Sequence, residues 1–184
     1  MKKAVFLDRD GVINEKAPEG RYITKWEQFH VLAGVAEGVH LLNQAGHCVI
    51  IVTNQRCIAK GIVTVADLES MHRHMVEVLA GAGATIDGIY YCPHEMETSC
   101  SCRKPAPGML LEAARSRNID MTASWMIGDS DIDVEAGRNA GCKTARILTT
   151  GRTGGETANS RIKPIPADIV ASSLLDAVRQ ILRW

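Results

Sequence analysis

"MKKAVFLDRDG" (residues 1–11) sets four apolar residues, Ala4 to Leu7, between a basic start and a run of charges. So short an apolar run cannot serve as the h-region of a signal peptide. It suits a strand buried in a parallel sheet and ending at a carboxylate, Asp8. Similar runs follow at "CVIIVTN" (48–54), "DGIYYC" (87–92), "SWMIGD" (124–129), "KTARIL" (143–148) and "ADIVA" (167–171). Helical signals lie between them. Val35, Val39 and Leu42 recur at helical spacing, and Gly46 closes that helix. Thr64 with Asp67 three residues on opens a second, with Leu68, Met71, Met75 and Val78 as its apolar face. "PGMLLEAARSR" (107–117), "DVEAGRNAG" (133–141, closed by Gly141) and "SLLDAVRQILRW" (173–184, with Leu174, Val178 and Ile181 inward) supply the rest. This alternation implies a doubly wound α/β fold with a mostly parallel sheet.

At 184 residues the chain is expected to form a single domain, residues 1–184, with no insert large enough for a second. Three stretches fall outside the alternation: residues 11–32, the cysteine-rich segment after Tyr91, and "TTGRTGGETANSRIKPIP" (149–166), which reads as a surface loop. Lys plus Arg and Asp plus Glu balance at 21 each, which argues against a nucleic-acid or membrane-surface partner. No apolar run approaches the ~20 residues of a membrane span. The expectation is a cytoplasmic monomer acting on a small molecule. Among the six cysteines, Cys48 and Cys142 read as small buried hydrophobes, and Cys57 lies in a loop.

In open α/β sheets, ligands bind beyond the carboxyl ends of the strands, so the polar residues there carry most weight. Asp8 and Asp10, two apart, face one side of an extended stretch. Asp129 and Asp133 follow another strand, and together these carboxylates offer the hard oxygen donors that suit Mg²⁺. In "CPHEMETSCSC" (92–102), Cys92, His94, Cys100 and Cys102 form a Cys3His set with the ligand identities of a structural Zn²⁺ site. The set has no position left for water, so its metal is expected to hold the chain rather than perform chemistry. Arg103 and Lys104 follow the last ligand directly, so the clip would fix the loop that presents them.

"FLDRDG", "VTN", Lys104 and "GDSDID", in that order, resemble the four motifs of the haloacid dehalogenase superfamily of phosphohydrolases. The resemblance implies that fold, without a lid domain. It implies Asp8 as nucleophile through an aspartyl-phosphate, with Asp10 as general acid and then base. Thr53 would bond the phosphoryl oxygens and Lys104 would offset charge. Mg²⁺ would lie on Asp8, the Asp10 carbonyl and Asp129, with Asp133 orienting that set from behind. A smaller group in the superfamily joins these motifs to a zinc loop, and "DGIYYCPH", "CRKP" and "PGMLL" look like it over nearly the whole chain. The heptose-bisphosphate phosphatases of that group imply removal of a 7-phosphate; its histidinol-phosphate phosphatases are the alternative. A non-catalytic sugar-phosphate-binding protein is a third reading, against which the retention of both Asp8 and Asp10 argues.

The resemblance also implies substrate contacts from Arg103, Asn54 and Gln55. Relatives usually read "TNQSGIARG" where this chain has "TNQRCIAKG" (53–61). Loss of that glycine is expected to bear on the loop backbone, and Lys60 stands where arginine is usual. Arg56 has two readings: a contact to the distal phosphate of a bisphosphate, or a solvated surface charge.

Overall fold

Strand residues of alternate parity point to opposite faces of a sheet, so each face must find its own cover. The computed structural model describes residues 1–148 and 165–184. Its strands are β1 (Ala4–Leu7), β2 (Cys48–Asn54), β3 (Gly88–Cys92), β4 (Trp125–Gly128), β5 (Lys143–Ile147) and β6 (Ile169–Ala171). They form a six-stranded sheet in the order β3-β2-β1-β4-β5-β6, and every neighbouring pair is parallel. The helices are α1 (Val35–Gln44), α2 (Val65–Gly81), α3 (Gly108–Arg117), α4 (Asp131–Asn139) and α5 (Leu174–Ile181).

Val5, Leu7, Val49, Ile51 and Ile127 point to one face, where α1, α2 and α5 lay Val39, Met75 and Val178 against them. Ala4, Phe6, Ile50, Val52 and Met126 point to the other, under Leu110 and Ala113 of α3 and Ala136 of α4. The result is a three-layer α/β unit of the expected class. The loop expected at 149–166 lies, apart from its last two residues, outside the described residues. Among the described residues, no helix is long and apolar enough to cross a membrane.

Two local expectations need correction. Val78, expected inward on α2, is 43% exposed, and Leu79 is buried in its place. Met71, Met75 and Leu79 follow an i, i+4 row facing the sheet, which leaves Val78 on its shoulder. Helix α4 starts at Asp131, two residues before the apolar pattern suggests, because Ser130 caps it in a capping box with Asp133.

Connections from β1 and β4 run to opposite sides of the sheet, which opens a crevice at their carboxyl ends. Asp8 follows β1, Thr53 and Asn54 end β2, and Asp129 follows β4, so three strands deliver polar residues to one place.

Candidate active site

At the centre of the crevice, Lys104 is buried beside two carboxylates. Its ammonium lies 2.8 Å from Asp8 Oδ1 and 2.6 Å from Asp133 Oδ1, and it donates to the Val52 carbonyl at 2.9 Å. Burial alone would lower the Lys104 pKa, but Asp133 and Asp8 outweigh it and push the group well above its usual value. Asp133 is held in turn: its Oδ2 accepts from the Ser130 backbone N–H and hydroxyl. Asp8 Oδ1 also accepts the Arg9 N–H at 2.8 Å. Burial pushes the Asp8 carboxyl up to about 7, against the pull of Lys104.

Asp129 stands opposite, with its Oδ2 2.5 Å from the Lys16 ammonium and its buried Oδ1 without a hydrogen-bond partner among the described residues. Burial raises its pKa, with Lys16 opposing. Oxygens of Asp8, Asp129 and Asp133 all lie within 4.8 Å of one another. Three carboxylates that share one buried ammonium and the part-exposed Lys16, with one buried oxygen left orphaned, fit a hard divalent cation such as Mg²⁺. Two glycines make this crowding possible. A Cβ at Gly11, whose φ is +94°, would lie 2.3 Å from Asp129 Oδ2, and one at Gly128 would lie 2.1 Å from the Asp133 Cβ.

The Asp10 carboxylate turns away from this group. Arg9 Nη2 reaches both of its oxygens, at 2.9 and 3.0 Å, while Asn14 Nδ2 donates to Oδ1 at 2.9 Å and Gln55 Nε2 to Oδ2 at 3.0 Å. Burial works against ionisation, yet the Arg9 guanidinium and then these hydrogen bonds hold Asp10 below the usual carboxylate pKa. Arg9 is itself only 1% exposed. Its Nη1 lies 3.2 Å from His72 Nε2, and its guanidinium lies over the Phe29 ring at 5.6 Å. Gln55 Nε2 also donates to the Thr53 hydroxyl at 3.0 Å, so Thr53, Gln55 and Asp10 form one chain.

The end of β2 is tied to the cysteine segment. Asn54 clasps the Lys104 backbone from both sides: its Nδ2 donates to the Lys104 carbonyl, and its Oδ1 accepts the Lys104 N–H, each at 3.1 Å. The Gln55 N–H donates to the Cys92 carbonyl at 2.7 Å. Arg103 Nη1 donates to the His94 carbonyl at 3.1 Å. Arg56 Nη1 contacts the Met96 sulfur at 3.1 Å, and its guanidinium lies 5.7 Å from the Tyr22 ring. Lys60, exposed, approaches that ring at 5.8 Å. Arg56 and Cys57 both have φ outside the left-handed region, so the missing glycine strains nothing. Cys57 is buried and its thiol donates to Gln55 Oε1 at 3.5 Å.

Asp10, Lys16, Arg21, Arg56 and Arg103 line a cleft of about 210 Å³. A larger groove of about 780 Å³ shares Lys16 and Ala17 with it but none of the four carboxylates, of which the smaller cleft holds Asp10. Sequence reasoning missed Arg9, Asn14, Lys16, Arg21 and His72. Four lie within or beside the aperiodic 11–32 stretch, and His72 shares the apolar face of α2.

Cys92, His94, Cys100 and Cys102 converge as a second group. Cys92 Sγ lies 3.5 Å from His94 Nδ1 and 3.8 Å from Cys100 Sγ; Cys102 Sγ lies 3.3 Å from His94 Nδ1 and 3.6 Å from Cys100 Sγ. Ligand atoms on a tetrahedral Zn²⁺ stand about 3.6–3.8 Å apart, whereas a disulfide needs about 2.05 Å. The set fits zinc and excludes a disulfide among these four.

The HAD-hydrolase-like family model matches residues 101–177. The chain is 39% identical over 97% of its length to a D-glycero-beta-D-manno-heptose-1,7-bisphosphate 7-phosphatase of Photorhabdus laumondii, covering 94% of that protein. It is 38% identical over 97% of its length to the same-named protein of Escherichia coli K12, covering 93% of it. The crystal structure of a D,D-heptose 1,7-bisphosphate phosphatase from B. bronchiseptica, complexed with magnesium and phosphate, superposes with a TM-score of 0.87 at 31% identity, over 98% of each chain. With its strand-end carboxylates and buried lysine arranged on this sheet, the chain belongs to the haloacid dehalogenase-like hydrolases, in the family of the heptose-1,7-bisphosphate 7-phosphatases.

Proposed function

We propose that this chain is an Mg²⁺-dependent phosphohydrolase that removes the 7-phosphate of D-glycero-β-D-manno-heptose 1,7-bisphosphate, a step in supplying ADP- or GDP-heptose precursors. The anomer is taken from the names of the curated relatives. The observation that carries the reading is the separation of two carboxylates. Asp8 sits on the buried Lys104 ammonium, while Asp10 is held apart by Arg9, Asn14 and Gln55.

Asp8 attacks phosphorus and forms an aspartyl-phosphate as the bond to the sugar oxygen breaks. Lys104, which sits against Asp8, and the Thr53 hydroxyl take up the charge on the phosphoryl oxygens. Asp10 gives its proton to the departing alkoxide, then takes one from the water that releases phosphate. A dianionic phosphate entering beside Asp10 favours its protonated form, which offsets the pull of Arg9. Asp8, Asp129 and the Asp10 carbonyl would hold Mg²⁺, which supplies charge neutralisation for an anionic nucleophile meeting an anionic substrate. Asp133 keeps Lys104 and Asp8 in register. Cys92, His94, Cys100 and Cys102 would hold Zn²⁺, fixing the loop that carries Arg103 and Lys104. Arg103, Arg56 and Arg21 face the cleft beyond the reacting phosphate and suit the 1-phosphate. Asn54 and Gln55 act mainly by holding Lys104 and Asp10, and Lys60 supports Tyr22 at the rim.

We place the protein in the cytoplasm, where free thiols such as these stay reduced, and assign it as a monomer, which light scattering would check. Phosphate release from the heptose bisphosphate and from histidinol phosphate tests the substrate. The bisphosphate should have much the higher kcat/KM; equal or better turnover of histidinol phosphate would overturn the assignment. Asp10→Asn should abolish turnover of the sugar phosphate while Mg²⁺ binding persists.

A further inference from the structure

Helix α2 buries Leu68, Met71, Met75 and Leu79, and in the middle of that apolar face it buries His72. A histidine there needs a partner, and its partner is Arg9, with 3.2 Å between Nε2 and Nη1. Arginine has donors only, so His72 Nε2 must be the acceptor, and the ring carries its proton on Nδ1. On the other side of the same guanidinium, Nη2 bridges both oxygens of Asp10. The Phe29 ring beneath the guanidinium offers no lone pair to replace the imidazole. The planar fork therefore has one anchor behind it and Asp10 in front, and any rotation of the fork rotates the carboxylate. His72 itself touches neither the cleft nor the carboxylates around Lys104.

We propose that His72 is a positioning residue for the proton-transfer step: by accepting from Arg9 it fixes the guanidinium that aims the Asp10 carboxyl at the leaving oxygen. The proposal rests on Asp10 as the proton donor, and a leaving-group comparison separates the two ideas. A sugar alkoxide needs the proton as its bond to phosphorus breaks, whereas p-nitrophenolate departs without it. Because kcat/KM covers steps only up to formation of the aspartyl-phosphate, later use of Asp10 as a base does not enter.

The experiment measures kcat/KM of the Mg²⁺-loaded protein for the heptose bisphosphate and for p-nitrophenyl phosphate. The variants are His72→Leu, which lacks an acceptor, and His72→Gln, whose Oε1 can take the place of Nε2. His72→Leu should lower kcat/KM for the sugar phosphate by ~10-fold or more and for p-nitrophenyl phosphate by less than ~3-fold. His72→Gln should stay within ~3-fold of the wild type on both. If circular dichroism shows that the leucine variant does not fold, His72→Asn takes its place, since its shorter amide cannot reach Nη1. An equal loss on both substrates, no loss on either, or a glutamine variant as impaired as the acceptor-free one would overturn the proposal. Asp10→Asn serves as the control. If it impairs both substrates alike, the role of Asp10 fails first; if it discriminates between them and the His72 variants do not, only the role of His72 fails.

Discussion

In an unfolded chain His72 takes up a proton near 6.5, whereas in the fold burial, followed by the neighbouring Arg9 guanidinium, pushes its pKa down to about 3. Above pH 6.5 both states are neutral at this position and the group has no effect on stability. Below it the unfolded state gains a proton that the folded state refuses, so stability falls as the pH drops from 6.5 towards 3. The slope from this residue is ~1.4 kcal/mol per pH unit, or about 2 kcal/mol at pH 5. Urea denaturation at pH 7 and pH 5 should show a smaller acid loss in His72→Gln than in the wild type; equal losses would mean that the histidine is not held neutral. At this scale the sequence is legible where chemistry coincides with a strand end. Asp8, Thr53 and Asp129 announce themselves by following apolar runs. Arg9 and Lys16 do not, because a charge beside an acidic motif looks the same whether solvated or buried. Only the tertiary fold places Phe29 and His72 around Arg9.

Capping is short-range chemistry, and the starts of α2, α4 and α5 follow from it. Thr64 accepts from the Asp67 N–H at 3.1 Å, and the Asp67 carboxylate returns to the Thr64 N–H at 3.3 Å. Thr64→Ala should cost ~1 kcal/mol of stability and leave kcat/KM unchanged, since the box lies two turns before His72. Thermal melting and steady-state kinetics on one preparation would check both halves. A large fall in activity would show that α2 transmits more than its position. The same locality explains what could be read early: Thr64 with Asp67, and glycines that end α1 and α4. It also explains what could not. Whether Val78 or Leu79 faces inward depends on where α2 rests on the sheet, and both satisfy a helical apolar pattern. The early start of α4 depends on Ser130, whose neighbours Asp129 and Asp133 look like site residues rather than a helix cap.

Across the whole molecule, two metal-binding groups meet through a few residues. The sheet core is closed by apolar contacts on both faces; of the second group Cys92 lies within it at the end of β3, and Cys100 and Cys102 only pack against its edge. Stripping zinc with a chelator should therefore leave far-UV circular dichroism and Mg²⁺ affinity nearly intact. It should lower kcat/KM by ~10-fold or more, recovered on adding zinc. Full activity and unchanged substrate preference in zinc-free protein would show that the clip does not aim Arg103 and Lys104. The fold class was legible because each strand and helix carries its own periodicity. The rim of the cleft was legible only in part: Arg56 and Arg103 stand in recognisable motif loops, whereas Arg21, Tyr22 and Met96 meet them from stretches with no period of their own.

The span from Met96 to Ser99 is exposed, and it is closed off at both ends by ligands of the second metal group. Lengthening such a tethered stretch is cheap, about 0.6 kcal/mol for each doubling. With Zn²⁺ held by Cys92, His94, Cys100 and Cys102, the change would be absorbed before it reaches Lys104. Insertions and deletions between His94 and Cys100 can accordingly vary the outer rim among descendants of this sequence while the lysine stays in register with Asp8. The clip thus partitions the loop for evolution, into an outer part free to drift and an inner part that is not.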